Sequence, residues 1–334
     1  MYIVDSYLLA VIFCIITMLG WGSWANTLKM TPKNWEFPLY YWDYSIGLIL
    51  TTLLFGFTFG SSGTEGRSFL ADLSQANFSA LTSAFIGGVI FNLSNLLIVA
   101  ATAIAGLAVA FPIAVGLALV IGVVVNYIAT PLGNPVLLFA GLALVVLAIL
   151  VDTAAYKKLP QEKKGDQKKG ILISIVSGIL MGFFYRFVAA SMVTNFAVPD
   201  AGLLTPYSAM FVFTIGIFIS NFVFNTWFMY KPVTGGKVSY SDYFRLGTPK
   251  IHLIGLLGGL IWCAAMEFNM MASEQAGFAI SYGLGQGATM ISAAWGVFVW
   301  KEFAKAPKGT NKMLAAMFAL FIIGLSMIVV ARLN

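Results

Sequence analysis

The stretch LGGLIWCAAMEFNMMASEQAG, residues 257–277, is apolar enough to cross a membrane, yet it carries a carboxylate, Glu267, near its middle. A charge at the centre of a bilayer helix costs roughly 2.5–3.5 kcal/mol on insertion scales. An acid there is expected to face a wet cavity and to handle a proton, an ion or a solute; reaching water near a helix end is the plainer alternative. The same stretch has an echo earlier in the chain. At an offset of 171, IGGVIFNLSNLLIVAATAIAGLAV (86–109) lies over LGGLIWCAAMEFNMMASEQAGFAI (257–280) without a gap, with seven identities in 24 positions. Gly87 and Gly88 fall on Gly258 and Gly259, and Ala105-Gly106 on Ala276-Gly277. Glu267 takes the place of Leu96, so Asn92, Asn95 and Glu267 are expected at similar depth around one cavity.

The rest of the chain carries the same membrane signal. Of 334 residues, 60% are hydrophobic and only 10% charged, with a mean hydropathy of +0.89; soluble domains are about 25% charged. Runs of about 20 apolar residues, the length that spans a bilayer, fall at 7–28, 38–60, 79–103, 106–129, 134–153, 170–193, 204–229, 251–273, 276–299 and 312–332. The fold class expected is therefore all-α integral membrane, with ten transmembrane helices. The echo divides them into two five-helix repeats, residues 1–153 and 170–334, joined by a linker at 154–169. An odd number of helices per repeat makes the second copy enter the membrane inverted, the plan of alternating-access carriers. MYIVDS has no positive region before the first apolar run, so that run is expected to be a retained helix.

Basic residues set the expected orientation. Sixteen of the 19 lie in the odd-numbered loops, among them Lys163 and Lys164 of the linker; only Arg67 and Arg332 lie on the other side, and Arg186 falls within the sixth helix. This places the odd loops in the cytoplasm and both termini outside a cell (inner) membrane. The net charge of +6 then reports topology and gives no reason to expect nucleic acid. Cys14 and Cys263 lie in apolar runs and imply no disulfide. No metal-ligand spacing, P-loop or nucleophile constellation is present, so no metal, cofactor or enzymatic activity is expected.

The candidate site residues are polar or aromatic groups inside these runs. Glu267 is the proton-coupling candidate, with Asp43 of YYWDYS as the second; Arg186 is deep enough to pair with Glu267 or to meet solute. Trp24 of GWGSWAN, Tyr44, Asn92, Asn95 and Gln286 of SYGLGQGAT are the expected solute contacts. Gly20 and Gly22 would let helices approach closely. Gly283, Gly285 and Gly287 would thin the ninth helix so that Gln286 can reach solute, and Pro112, in the place equivalent to Gly283, would bend the fourth.

YWDYSIG, LSQANFSAL and GGVIFNLSNLL resemble the plant ureide permeases, while KNWE (33–36), IGVVVNYIATP (121–131) and GVFVWKEF (296–303) resemble the bacterial L-rhamnose–proton symporter and the glucose/ribose uptake proteins. All resemble the ten-helix branch of the drug/metabolite transporter superfamily. The resemblance implies import of a small neutral polar solute driven by protons or sodium. The expected function is a proton-coupled monosaccharide importer. A ureide or nucleobase symporter is the alternative, and a metabolite or drug exporter a more distant one. The central loop is shorter than in the plant permeases, and the GxxxG-like spacings leave monomer or homodimer open.

Overall fold

The computed structural model describes every residue except 160–165, 234 and 334, and the side chain of residue 107. The linker lysines Lys163 and Lys164 therefore lie outside the described residues. Because lipid offers no hydrogen-bond partners, a spanning segment must satisfy its backbone internally, and the regular structure of the described residues is helical, with one isolated bridge between Met192 and Leu204 and no strands. In chain order the helices are α1 (Tyr7–Ser23), α2 (Asn26–Lys29), α3 (Phe37–Phe57), α4 (Phe69–Gln75), α5 (Phe78–Ala105), α6 (Leu107–Ala129), α7 (Pro135–Tyr156), α8 (Gln167–Ser191), α9 (Pro206–Asn221), α10 (Phe224–Tyr230), α11 (Tyr240–Leu246), α12 (Pro249–Ala276), α13 (Phe278–Gly285), α14 (Ala288–Ala294) and α15 (Thr310–Val330).

Among the described residues, nine helical runs are long and apolar enough to span a membrane, against the ten expected. The difference is the ninth apolar run. Residues 276–299 form no single helix: α13 ends at Gly285, α14 begins at Ala288, and a π-helical turn covers Trp295–Val299. Three glycines in five residues weaken the helix, and two of them are needed for packing against α1. A Cβ on Gly285 would come within 2.8 Å of the Trp21 ring, and one on Gly287 within 2.8 Å of Met18. By contrast, α6 runs unbroken through Pro112.

The two halves of the echo occupy matching elements. Both α5 and α12 are 28 residues long, and 171 residues separate their ends. Each starts on a side-chain cap, Asn77 or Thr248, and each stops at a glycine of positive φ, 84° at Gly106 and 83° at Gly277, a conformation that costs glycine little. Each also crosses a partner helix through glycine. On α12, a Cβ at Gly259 would sit 2.1 Å from the Tyr44 carbonyl oxygen and 3.0 Å from the Gly47 Cα of α3. On α5, a Cβ at Gly88 would sit 2.0 Å from the Phe213 carbonyl oxygen of α9, whose Gly216 faces it. Small residues let helix backbones approach where no hydrophobic force drives them together. Gly88→Ala and Gly259→Ala are each expected to lower stability by about 1–3 kcal/mol, the usual cost of overpacking, read as a drop in the detergent melting temperature. Gly116, with nothing within 4 Å of its Cβ position, is the control that should melt as wild type.

The two ends of the bundle differ. At one, Lys29 lies 3.4 Å from Glu302 and 4.6 Å over the Trp300 ring. At the other the chain termini meet: Gln275 donates to the Val4 carbonyl and Arg332 Nε to the Gln275 carbonyl at 2.9 Å. There a clamp centred on Asp72 of α4 joins the segments before α5 and before α9. Asp72 is fully buried; it accepts from Arg67 Nε at 2.8 Å, from the Thr205 N–H at 2.7 Å and from the Ser208 hydroxyl. The Arg67 Nη groups donate to the carbonyls of Pro199, Asp200 and Leu203.

Candidate functional site

A cavity of about 450 Å3 lies between α1, α5, α6, α8, α12 and the α13–α14 break. Its walls are aromatic. The Trp21 and Trp262 rings stack 5.9 Å apart at 13°, and Phe91 lies 4.5 Å from Trp262. Gly20 and Gly22 set α1 close enough for this: a Cβ on either would come within 2.5 Å of the Cβ of Ala265 or Ile291. A few polar groups interrupt the aromatic surface. Asn95 lines the cavity and donates its amide to the Tyr41 hydroxyl at 3.1 Å, which leaves its oxygen without a protein donor among the described residues. Gln286, delivered by the helix break, and Trp21 Nε1, buried without a partner, complete the set. At the rim Ala25, Lys29 and Ser292 are exposed, so the cavity opens towards the Lys29 end. A side chamber of about 260 Å3 shares this rim and reaches Asp152 and Glu302.

The opposite direction is sealed. Tyr185 donates to Asn269 Oδ1 at 2.7 Å and lies 2.9 Å from the Ser281 hydroxyl, while Asn269 donates to the Ser281 carbonyl. Beside it the Tyr282 hydroxyl donates to the Ala118 carbonyl at 3.2 Å, and its ring fills the space over Gly122. All of these side chains are buried. This is a buried polar plug with every member hydrogen-bonded.

Of the residues expected from sequence, Trp24, Asn95 and Gln286 line the cavity. Tyr44 is one layer back, packed between Trp24 at 4.9 Å and Tyr41 at 5.2 Å. Asn92 points away, donating to the Ile217 carbonyl and the Ser220 hydroxyl as a strut between α5 and α9. Arg186 is half-buried outside the cavity wall, and it does not pair with Glu267. Glu267 itself is fully enclosed, with both carboxylate oxygens lacking a hydrogen-bond partner. Asp43 also faces away from the cavity. It accepts from the Tyr243 hydroxyl, and His252 Nδ1 lies 2.9 Å from its Oδ1. Burial, reinforced by the hydrogen bond to Asp43, holds the Tyr243 phenol above its usual range and keeps it a donor. Trp21 belongs to the aromatic surface expected of GWGSWAN, whereas Trp262 and Phe91 carry no such signal, because an apolar ring in an apolar helix has no distinguishing neighbour in sequence.

The profile of the ureide permease family matches residues 40–169 and 162–331. The chain belongs to that family. The permease is 25% identical to Ureide permease 1 of Arabidopsis thaliana, covering 98% of both chains, and 25% identical to Ureide permease 2 of the same plant, covering 96% of both. A more distant relative is the Probable glucose uptake protein GlcU of Priestia megaterium, 26% identical over 68% of each chain. A solved crystal structure superposes with a TM-score of 0.60 at 16% identity, covering 97% of each chain, which speaks to the fold alone. Members of the family are transporters and not enzymes. The permease is thus a multi-pass membrane protein that carries a small solute.

Proposed function

We propose that the permease carries a small neutral ureide or nucleobase in symport with protons, by alternating access, and that the structure stands in the state open at the Lys29 end. The observation that carries this reading is an aromatic-walled cavity that also holds two side-chain amides and the unpartnered Trp21 indole N–H. Planar rings stack on planar rings. A urea unit offers N–H donors to the Asn95 oxygen and the Gln286 carbonyl, and its own carbonyl accepts from Trp21 Nε1 or the Gln286 amide. No charged side chain lines the cavity beside the Trp21–Trp262 stack, and Lys29 stands only at its rim, which suits a neutral guest. The family membership and the names of the Arabidopsis thaliana relatives support the ureide class over the monosaccharide class. The monosaccharide remains the second reading because of the GlcU relative; the aromatic faces would also take sugar C–H faces.

In this mechanism Glu267 carries the proton. A neutral carboxyl tolerates its dry enclosure, whereas an anion without partner or water resists it by several kcal/mol. The matched elements α5 and α12, with their matched glycine crossings, support two repeats that rock about the cavity. Asp43, tied to Tyr243 and His252, is the second coupling candidate.

Uptake of labelled allantoin, uracil and glucose into proteoliposomes tests the solute class. Allantoin or uracil is expected to be taken up and to compete with the other, with glucose a poor competitor; glucose uptake that neither of them inhibits makes the permease a sugar carrier. Gln286→Ala is expected to raise KM for the carried solute about 10- to 100-fold, the worth of one or two lost buried hydrogen bonds at about 1–3 kcal/mol. An unchanged KM would remove Gln286 from the site.

A further inference from the structure

A second cavity, of about 320 Å3, lies at the opposite end of the bundle from Lys29, where α12 turns into α13. Its size falls within the range of small-molecule sites, about 300–1,000 Å3. Glu274 and Arg332 both line it, yet they form no ion pair with each other. Glu274 uses one oxygen to accept from the Phe196 N–H at 2.8 Å; the other, Oε2, is shielded and has no partner. Arg332 uses Nε on the Gln275 carbonyl and leaves its two Nη groups uncommitted. An acceptor and a planar pair of donors thus line one cavity without satisfying each other, and the shielded Glu274 Oε2 bears the cost of an unmade hydrogen bond.

We infer that this cavity is a second solute site, the outer docking site of the transport route, and that it takes a neutral molecule bearing a urea unit. Adjacent N–H groups of the urea meet Glu274 Oε2, and its carbonyl meets the Arg332 guanidinium, whose planar fork suits it. The inference rests on the solute class proposed above. Its place on the route follows from α13. Phe278, the first residue of that helix, lines the outer cavity, and Gln286, just past its last, lines the inner one. Between them the rings run without a gap from Phe278 to Tyr185 at 6.4 Å, to Tyr282 at 4.8 Å and to Phe184 of the inner wall at 6.4 Å. One eight-residue helix, entered at Gly277 and followed by Gln286, thus joins the two sites through the plug.

Thr194 is exposed at the edge of this cavity, and both native cysteines are buried, so Thr194→Cys gives a single accessible thiol. The test is its rate of labelling by a membrane-impermeant maleimide in proteoliposomes, with allantoin, uracil or glucose present. At solute tenfold above half-saturation, labelling is expected to slow about tenfold with allantoin or uracil. That protection is expected to vanish in T194C/E274Q and T194C/R332Q. Glutamine keeps an oxygen for the Phe196 N–H, so E274Q should label at the unprotected rate without solute, which verifies that its loop is intact. Uptake measured on the same vesicles separates the two proposals. Protection by allantoin without its transport keeps the site and removes the proposed solute. Transport without protection, or protection that survives both substitutions, overturns the site.

Discussion

Glu267→Gln is expected to abolish concentrative uptake while leaving solute exchange across the membrane intact. A pH difference of one unit is worth about 1.4 kcal/mol per proton, so one coupled proton supports an accumulation of about tenfold. In the variant, accumulation should fall to about onefold, because glutamine keeps the shape of the acid and carries no proton. Exchange should survive, since Glu267 does not line the cavity proposed to hold solute. Its enclosure without any partner is what makes the residue a candidate: packing alone would be served better by leucine, which the chain uses at the equivalent Leu96. Accumulation that persists in Glu267→Gln would move the coupling role to Asp43, and Asp43→Asn would then be the variant that loses it.

Asp72→Ala is expected to cost about 3–5 kcal/mol of stability, the penalty for removing one partner of a buried ion pair. Arg67 would be left with its guanidinium held among three carbonyls and no counter-charge, and the Thr205 N–H and Ser208 hydroxyl would lose their acceptor. The expected readout is a large fall in detergent melting temperature, with Asp72→Asn losing less because it keeps an acceptor. A variant that melts as wild type would mean the clamp is solvated and contributes little, as exposed pairs do. In the proposed cycle the clamp lies at the end opposite the opening, so any destabilised variant that still folds is also expected to lose some of its bias towards opening at Lys29.

Glu267 and Asp72 show how differently two acids read. Glu267 stood out because its neighbours in the chain are apolar, which is visible in one dimension. Asp72 sits in a short polar stretch among residues that look like a loop, and Arg67 counted only as a charge on one side. Their burial arises from segments more than 130 residues apart closing over them. Gln286 was legible for a third reason, since a run of alternate glycines is a local signal of a weak helix. Asn92 and Asn95 lie three apart on α5, and in sequence both belong around one cavity. They diverge because α5 is flanked by α9 on one side and by the cavity on the other, and Asn92 falls on the α9 side.

By itself, the sequence determined the membrane class, the position of nearly every span, the glycine-ended helices α5 and α12, and the weak point that presents Gln286. These follow from composition, run length and backbone propensity, which act within a turn or two of chain. The tertiary structure alone decided which polar groups meet a cavity and which become struts, that Trp21 and Trp262 stack across it, and that Glu274 and Arg332 face one chamber unpaired. Those outcomes depend on the rotation of each helix about its axis. That rotation is set by close packing against several neighbours at once, where a turn of one residue carries a side chain 100° from solute to protein interior.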